Sequence, residues 1–244
     1  MKAKFTGHDT FPLRYGWLYK SVNQIKNNGL LSSADNSDAA DAVSALGVGK
    51  NMINAMKYWS ECAQLTVSVV KEGKLTQSVT DLGDFLFDKI NGHDPFLENI
   101  GSVWLLHFLL NFDDEGLTAY RYFFNYSNVL VFEKSKLTGD LLHDAERLTG
   151  SVKLKASTLK KDVDCFLNTY STRAEVKPTS KVRSVTEDNF LSPLAELELV
   201  SDIGRGLYRA EPGHRHTLPL SVFMYALVRF HSDRHKESRS SLLT

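Results

Sequence analysis

Between residues 39 and 63 the apolar positions fall at helical spacing twice, with a glycine between the two runs. Ala39, Ala42, Val43 and Leu46 recur at i, i+3, i+4 and i+7, and Ser37 or Asp38 is placed to cap the helix they predict. Gly47 breaks that pattern. Met52, Ile53, Met56, Trp59 and Ala63 then make a second apolar stripe, with Lys50, Asn54, Lys57 and Glu61 on the opposite face. A short helix, a glycine turn and a second helix with a basic, amide-bearing outer face is the pattern of a helix-turn-helix; an αα-hairpin packed in a core fits the periodicity equally. Val67–Lys71 and Lys74–Val79 alternate around Glu72-Gly73, which predicts a hairpin, or wing.

Farther along, Asp94 as N-cap and Pro95 in the first turn predict a helix start. Its run through Trp104, Leu105, Leu106 and Leu109 is apolar nearly all round, so this helix is expected at the centre, with Tyr120, Tyr122, Phe123, Phe124 and Tyr126 packed near it. Leu137, Leu141, Ala145 and Leu148 form another stripe, ending at Gly150. Ser157 is expected to cap a helix with Leu159, Val163, Phe166, Leu167 and Tyr170 inside and Lys160, Lys161, Asp164 and Asn168 outside. Leu194–Val200, Gly204-Arg205-Gly206 and Leu207–Glu211 read as helix, turn and strand. Pro219 opens a last helix with Val222, Phe223, Ala226 and Phe230 buried, and the polar tail after Ser232 is expected to fray. Lys26–Ser37 reads as a loop and Thr172–Glu187 as a linker. The expected fold is mainly α. A winged-helix-like N-terminal part and a central helical region occupy residues 1–130, and a second winged-helix-like part with short hairpins occupies 131–244.

With 244 residues, 42% of them hydrophobic, the chain can bury a large core. Cys62 and Cys165 make neither a disulfide framework nor a CxxC zinc pair, so buried free thiols in a reducing cytoplasm are expected. The N-terminus lacks a long apolar run, and Val103–Leu110 is too short to cross a bilayer, so neither a signal peptide nor membrane association is expected. Lys plus Arg and Asp plus Glu are both 29, which excludes a charge-driven DNA coat. From Ser151 to Val185, however, eight basic residues face three acidic ones, and Ile90–Ala119 holds five acidic residues and no Lys or Arg. The basic stretch fits a local nucleic-acid contact or a solvated face.

No standard catalytic motif is present. Gly47-Val48-Gly49-Lys50 lacks the spacing and the Ser/Thr of a P-loop, and there is no GxSxG elbow or HExxH helix. Glu72-Gly73-Lys74 matches half of a metal-dependent nuclease motif, but its composition is that of a turn. His231 with His235, and His214 with His216, have metal-ligand spacing in polar sequence. The densest functional run is Gly7-His8-Asp9-Thr10-Phe11-Pro12-Leu13-Arg14-Tyr15-Gly16-Trp17-Leu18. Histidine moves protons near neutral pH, aspartate holds Mg²⁺ or orients a histidine, and arginine grips phosphate. The other reading is a structural clasp, in which Asp9 or Thr10 caps a Phe11–Lys20 helix with Pro12 in its first turn.

That run resembles the opening signature of the SspB-like family of DNA phosphorothioation-associated defence proteins, which usually has Glu where this chain has Asp9. Leu46-Gly47-Val48-Gly49-Lys50-Asn51-Met52 with Trp59 resembles the family's second motif. Asp94-Pro95-Phe96-Leu97-Glu98 with Trp104-Leu105-Leu106-His107 resembles the third. Ser157-Thr158-Leu159-Lys160-Lys161-Asp162-Val163 resembles the fourth. Ser192-Pro193-Leu194-Ala195-Glu196-Leu197 resembles the fifth, in which Cys often replaces Ser192. The resemblance implies a bacterial defence protein that works beside sulfur-transfer enzymes and nicks DNA with Mg²⁺.

Two readings follow. In the first, the chain is a Mg²⁺-dependent nicking endonuclease, with His8 and Asp9 at the reacting phosphate and Arg14 gripping it. Asp9, Glu98, Asp113, Asp114 and Glu115 are then the candidate metal ligands. In the second, the chain is a non-catalytic module that holds DNA through Lys50, Asn51, Asn54, Lys57, Lys160 and Lys161 and docks the modification enzymes. A homodimer fits either reading. A transcriptional regulator is a third, weaker one.

Overall fold

The computed structural model describes residues 4–29, 31, 46–71, 74–112, 117–149, 155–173 and 192–240. Helices α1 (Trp17–Asn28) and α2 (Lys50–Cys62) come first, followed by strands β1 (Thr66–Lys71) and β2 (Lys74–Val79). Helices α3 (Asp81–Phe87), α4 (Ile100–Phe112) and α5 (Thr118–Asn125) make the middle of the chain. Then come β3 (Val131–Glu133), α6 (Lys134–Thr149), α7 (Ala156–Tyr170) and β4 (Ser171–Arg173). A 3₁₀ turn at Pro193–Leu197, β5 (Val200–Gly204), β6 (Leu207–Ala210) and α8 (Leu220–Ser240) complete the order. The protein is mainly α with two small sheets.

The second apolar stripe folds as its spacing predicts. α2 buries Ile53, Met56 and Trp59, while Lys50 and Asn51 are exposed and Asn54 and Lys57 half-exposed. β1 and β2 pair antiparallel from Thr66↔Val79 to Lys71↔Lys74, as the alternation predicts. Thr80 then caps α3, its hydroxyl accepting from the Gly83 N–H at 3.1 Å. A Cβ on Gly83 would lie 2.2 Å from the Leu65 carbonyl oxygen, so α3 packs directly on the connection between α2 and β1. The preceding predicted helix, apart from Leu46, lies outside the described residues, as do Glu72-Gly73 and most of the expected linker.

The second sheet has the order β3-β6-β5-β4. β4 runs parallel to β5, and the other pairs are antiparallel. It ties residues 131–133, just before α6, to residues 207–209. One contiguous apolar core runs from Leu13 through Trp59, Tyr120 and Phe166 to Val200. Its centre is a series of edge-to-face rings, Trp59 on Tyr120 at 5.9 Å and Tyr120 on Phe166 at 5.1 Å. Helix α4 is buried nearly all round, as its composition predicts.

Six local expectations are corrected. The helix expected from Phe11 begins at Trp17, because Thr6, Asp9 and Thr10 take left-handed φ of 58°, 46° and 66° and Gly16 turns the chain at φ 76°. The helix expected at Asp94 begins at Ile100. Asp94 instead accepts the Glu98 and Asn99 N–H groups (2.9 and 3.1 Å) and holds a turn ahead of it. α7 is preceded by Lys155 at its N-cap, with no side-chain cap, and Ser157 lies inside its first turn. Leu194–Val200 is a 3₁₀ turn that leads into β5, because Glu198 adopts φ 50° and stops the helix. Val222, Phe223, Ala226 and Phe230 of α8 are not buried: Phe223 is 49% and Phe230 44% exposed, since α8 lies on the surface over a cleft. Its backbone also stays helical through the polar tail to Ser240.

Candidate nucleic-acid interface

Thr6 to Gly16 form a loop that is built without regular hydrogen bonding and is held from outside. Its first anchor is α7. The His8 Nε2 lies 2.6 Å from Asp162 Oδ1, and the same oxygen accepts the Thr6 N–H at 2.9 Å. The second anchor is α2. The Trp59 indole N–H donates to the Phe11 carbonyl at 3.0 Å, and Tyr58 lies so close to Gly7 that a Cβ there would meet its ring at 2.1 Å. A third anchor comes from the 3₁₀ turn, where Glu196 accepts the Tyr15 hydroxyl proton. Just past the loop, Tyr19 of α1 packs on Phe96, ring centres 5.4 Å apart. All five motifs singled out in the sequence therefore meet at or beside this loop.

His8 is 1% exposed. Burial is the largest single influence and lowers its pKa, but the hydrogen bond to Asp162, the contact with Cys165 and the negative charges of both together outweigh it and raise the pKa to about 9. The Thr10 N–H, 3.0 Å from Nδ1, works the other way, because that contact needs a lone pair on Nδ1. Each ring nitrogen is thus committed inside the protein, and His8 offers neither to a DNA phosphate. The geometry makes it an internal fastener. Cys62 and Cys165 are buried free thiols, and burial pushes Cys62 up to about 12.

Asp9 lies on the outside of the same loop and is exposed. The Asn54 side-chain amide donates to its Oδ2 at 3.4 Å, a long contact that places the loop on the outward face of α2. Lys50 and Asn51 open that helix. Lys57 is half-exposed and 4.0 Å from Glu61, one turn on. The Arg14 guanidinium lies over Phe11 and Trp17, 5.7 and 5.6 Å from the ring centres, which fixes its orientation at the loop's edge. Lys160 and Lys161 are exposed on α7, directly before Asp162. Asp9 thus meets α2 at Asn54, Arg14 lies farther along the same loop over Phe11 and Trp17, and Lys160 and Lys161 are exposed on the helix whose Asp162 fastens that loop.

Glu98 is exposed, in the turn ahead of α4. Asp113, Asp114 and Glu115 lie outside the described residues. Among the described residues no three His, Cys, Asp or Glu side chains gather as a metal site. Asp9 is exposed beside the Asn54 amide, and a carboxylate is one of the oxygen ligands Mg²⁺ takes alongside phosphate and water. His214, His216 and His231 are exposed. The residues that composition missed are Asp162, Tyr58 and Glu196. Asp162 and Glu196 stand inside the fourth and fifth motifs, and that membership is their one visible signal in the sequence.

No helix among the described residues is long and apolar enough to cross a membrane. No curated protein matches the chain. Among solved structures, it is similar to SspB in a magnesium-ion-bound crystal structure at 29% identity and in a second crystal structure at 30%. Both matches have a TM-score of 0.75 and cover 91% of this chain. The chain spans 64% of the length of those SspB chains. A family model described as a protein of unknown function, DUF4007, matches residues 5–243. With that match over nearly its whole length, the chain belongs to the DUF4007 family, and it is SspB-like in sequence and fold.

Proposed function

We propose that the chain engages duplex DNA through the surface made by the signature loop and α2, as the DNA-binding part of a phosphorothioation-linked defence system. The observation that carries this reading is the Asp9–Asn54 contact, which joins the most side-chain-rich motif to the outward face of α2. In this reading α2 and the β1–β2 hairpin act as recognition helix and wing. Asn51 and Asn54 reach base edges, where an amide pairs with adenine, and Lys50 and Lys57 neutralise phosphates. Arg14, steadied over two rings, takes a phosphate at the loop's edge. Lys160 and Lys161 extend the contact along α7. The link to sulfur-transfer enzymes as partners rests on the five-motif resemblance and on the likeness to SspB. Fluorescence anisotropy with a labelled duplex tests it. Binding at low salt that weakens steeply with added salt is expected, and no binding at low salt would overturn the reading.

The magnesium-bound state of the SspB structure favours a second reading, in which the same surface nicks DNA. Asp9 would hold the ion, and bound Mg²⁺ would polarise the phosphate and stabilise the leaving oxygen. Arg14 would orient the phosphate, and His8 and Asp162 would keep Asp9 in place rather than move a proton. Supercoiled plasmid incubated with Mg²⁺ and with EDTA separates the readings. Open circles formed with Mg²⁺ alone, and lost in Asp9→Ala, support nicking. Unchanged plasmid leaves the binding module.

A further inference from the structure

The third motif ends on His107, which the proposed DNA surface does not use. His107 is 7% exposed, and one edge of its ring is fully engaged. The Asn111 amide donates to the His107 carbonyl at 2.6 Å, which fixes the orientation of that amide. The same amide nitrogen lies 2.8 Å from the Tyr170 hydroxyl and 3.2 Å from His107 Nδ1. Tyr170 accepts from the amide and so turns its own proton onto Nδ1, 2.9 Å away. Burial, with the positive Arg215 nearby, lowers the His107 pKa to about 3, so the ring is neutral. Nδ1 is then the acceptor, and the ring proton sits on Nε2.

Among the described residues Nε2 has no hydrogen-bond partner, and His107 lines a cleft of about 430 Å³ between α4 and α8. Trp104, Phe108, Phe112, Phe223 and Phe230 give that cleft aromatic walls, and no charged side chain lines it. The other side-chain N–H groups around it are spent. The Trp104 indole donates to the Thr217 hydroxyl at 3.1 Å, and the Asn125 amide donates to the Asn111 and Arg121 carbonyls at 3.0 Å. A cleft of the size of small-molecule sites therefore holds one buried donor with nothing to bind.

We propose that this cleft binds an uncharged, mainly aromatic small molecule, held by one acceptor, a carbonyl oxygen or a ring nitrogen, on the His107 Nε2–H. The lining chooses this class. A charged ligand would lose its water with no counter-charge to meet it. A plain hydrocarbon would leave the His107 donor unmade. A flat ring meets the faces and edges of the five aromatic walls. Because α8 supplies one of those walls, an occupant would join α8 to α4.

Fluorescence titration of the full chain tests this with two uncharged probes, propionylated dimethylaminonaphthalene and its propyl analogue, which keeps the rings and lacks the carbonyl. The ketone is expected to bind in the micromolar range with blue-shifted emission and to raise the melting temperature. The propyl analogue should bind about tenfold more weakly, the cost of a buried donor left unmade. Ala226→Trp fills the cleft from α8 and should abolish ketone binding in a protein that still melts cooperatively. Met224→Glu, on α8 but outside the cleft, should leave binding unchanged. The two-probe comparison on the parent chain does not depend on either variant folding. No binding of the ketone, equal binding of the two probes, or undiminished binding in a folded Ala226→Trp would each overturn the proposal. So would loss of binding in a folded Met224→Glu, which would place the probe on the outer face of α8.

Discussion

The imidazole of His8 and the carboxylate of Asp162 meet at 2.6 Å inside the protein, 154 residues apart in sequence. This one contact fastens the signature loop to α7. The second Asp162 oxygen, Oδ2, has no hydrogen-bond partner among the described residues, so the pair's hold rests on one oxygen shared between the His8 ring and the Thr6 N–H. Removing either partner takes away the other's buried counterpart, leaving Asp162 only the Thr6 N–H and His8 only the Thr10 N–H. Asp162→Ala and His8→Ala should each cost about 3 kcal/mol, in the range seen for breaking a buried pair, with a melting temperature lower by about 6–12 °C at this size. The double variant should cost much less than the sum. Thermal melts showing either single variant within a degree or two of the parent would remove the fastener role.

Two histidines set opposite limbs of the pH profile. Against the burial that lowers it, Asp162 and Cys165 together raise His8 to about 9, so its contribution is complete below pH 6.5 and lost as the pH rises from 6.5 to 9. Burial, with the positive Arg215 nearby, lowers His107 to about 3. Its contribution is complete above pH 6.5 and lost as the pH falls from 6.5 toward 3. The melting temperature should therefore peak near pH 6.5. Asp162→Asn should flatten the alkaline limb, and His107→Gln should flatten the part of the acid limb that precedes carboxylate protonation. A parent protein equally stable at pH 6.5 and pH 9 would contradict the His8 half.

Gly7 is fixed by its neighbour and not by its own backbone. Gly7→Ala would drive a methyl into the Tyr58 ring, so a loss of about 1–3 kcal/mol is expected from overpacking. Tyr58→Leu in the same chain should recover part of it. Melts of the single and double variants check this. A Gly7→Ala protein as stable as the parent would mean that the ring moves aside at no cost.

Lys50→Ala and Lys57→Ala should leave the fold intact, since both side chains lie on the outer face of α2. Each should lower the slope of log affinity against log salt for duplex DNA by about one unit. Asn54→Ala should weaken binding on adenine-containing sites more than on others. Anisotropy titrations at several salt concentrations read both effects, and unchanged slopes would take α2 out of the interface.

Period and composition were enough to locate α2, the hairpin, α4 and the inner face of α7, because each owes its shape to a local apolar pattern. They failed where tertiary contacts set the backbone. Asp9 and Thr10 look like helix caps in sequence, yet they are held left-handed by a loop fastened to α7, α2 and the 3₁₀ turn. His8 reads as a proton shuttle because nothing nearby in sequence shows that a carboxylate 154 residues on will enclose it. Asp162 stands in a basic stretch inside the fourth motif, and nothing beside it in sequence shows that it faces inward. In α8 the stripe was visible, but no pattern within the helix states whether a core lies on both of its sides.

The fastening of the signature loop also orders events during synthesis. Residues 6–16 leave the ribosome before their partners, since Asp162 follows His8 by 154 residues and Glu196 follows Tyr15 by 181. Until then the loop has α2 to rest on and lacks both of its later anchors. A nascent chain halted before α7 would carry the signature unlocked, so the surface that carries Asp9 is completed only after α7 and the 3₁₀ turn have been made.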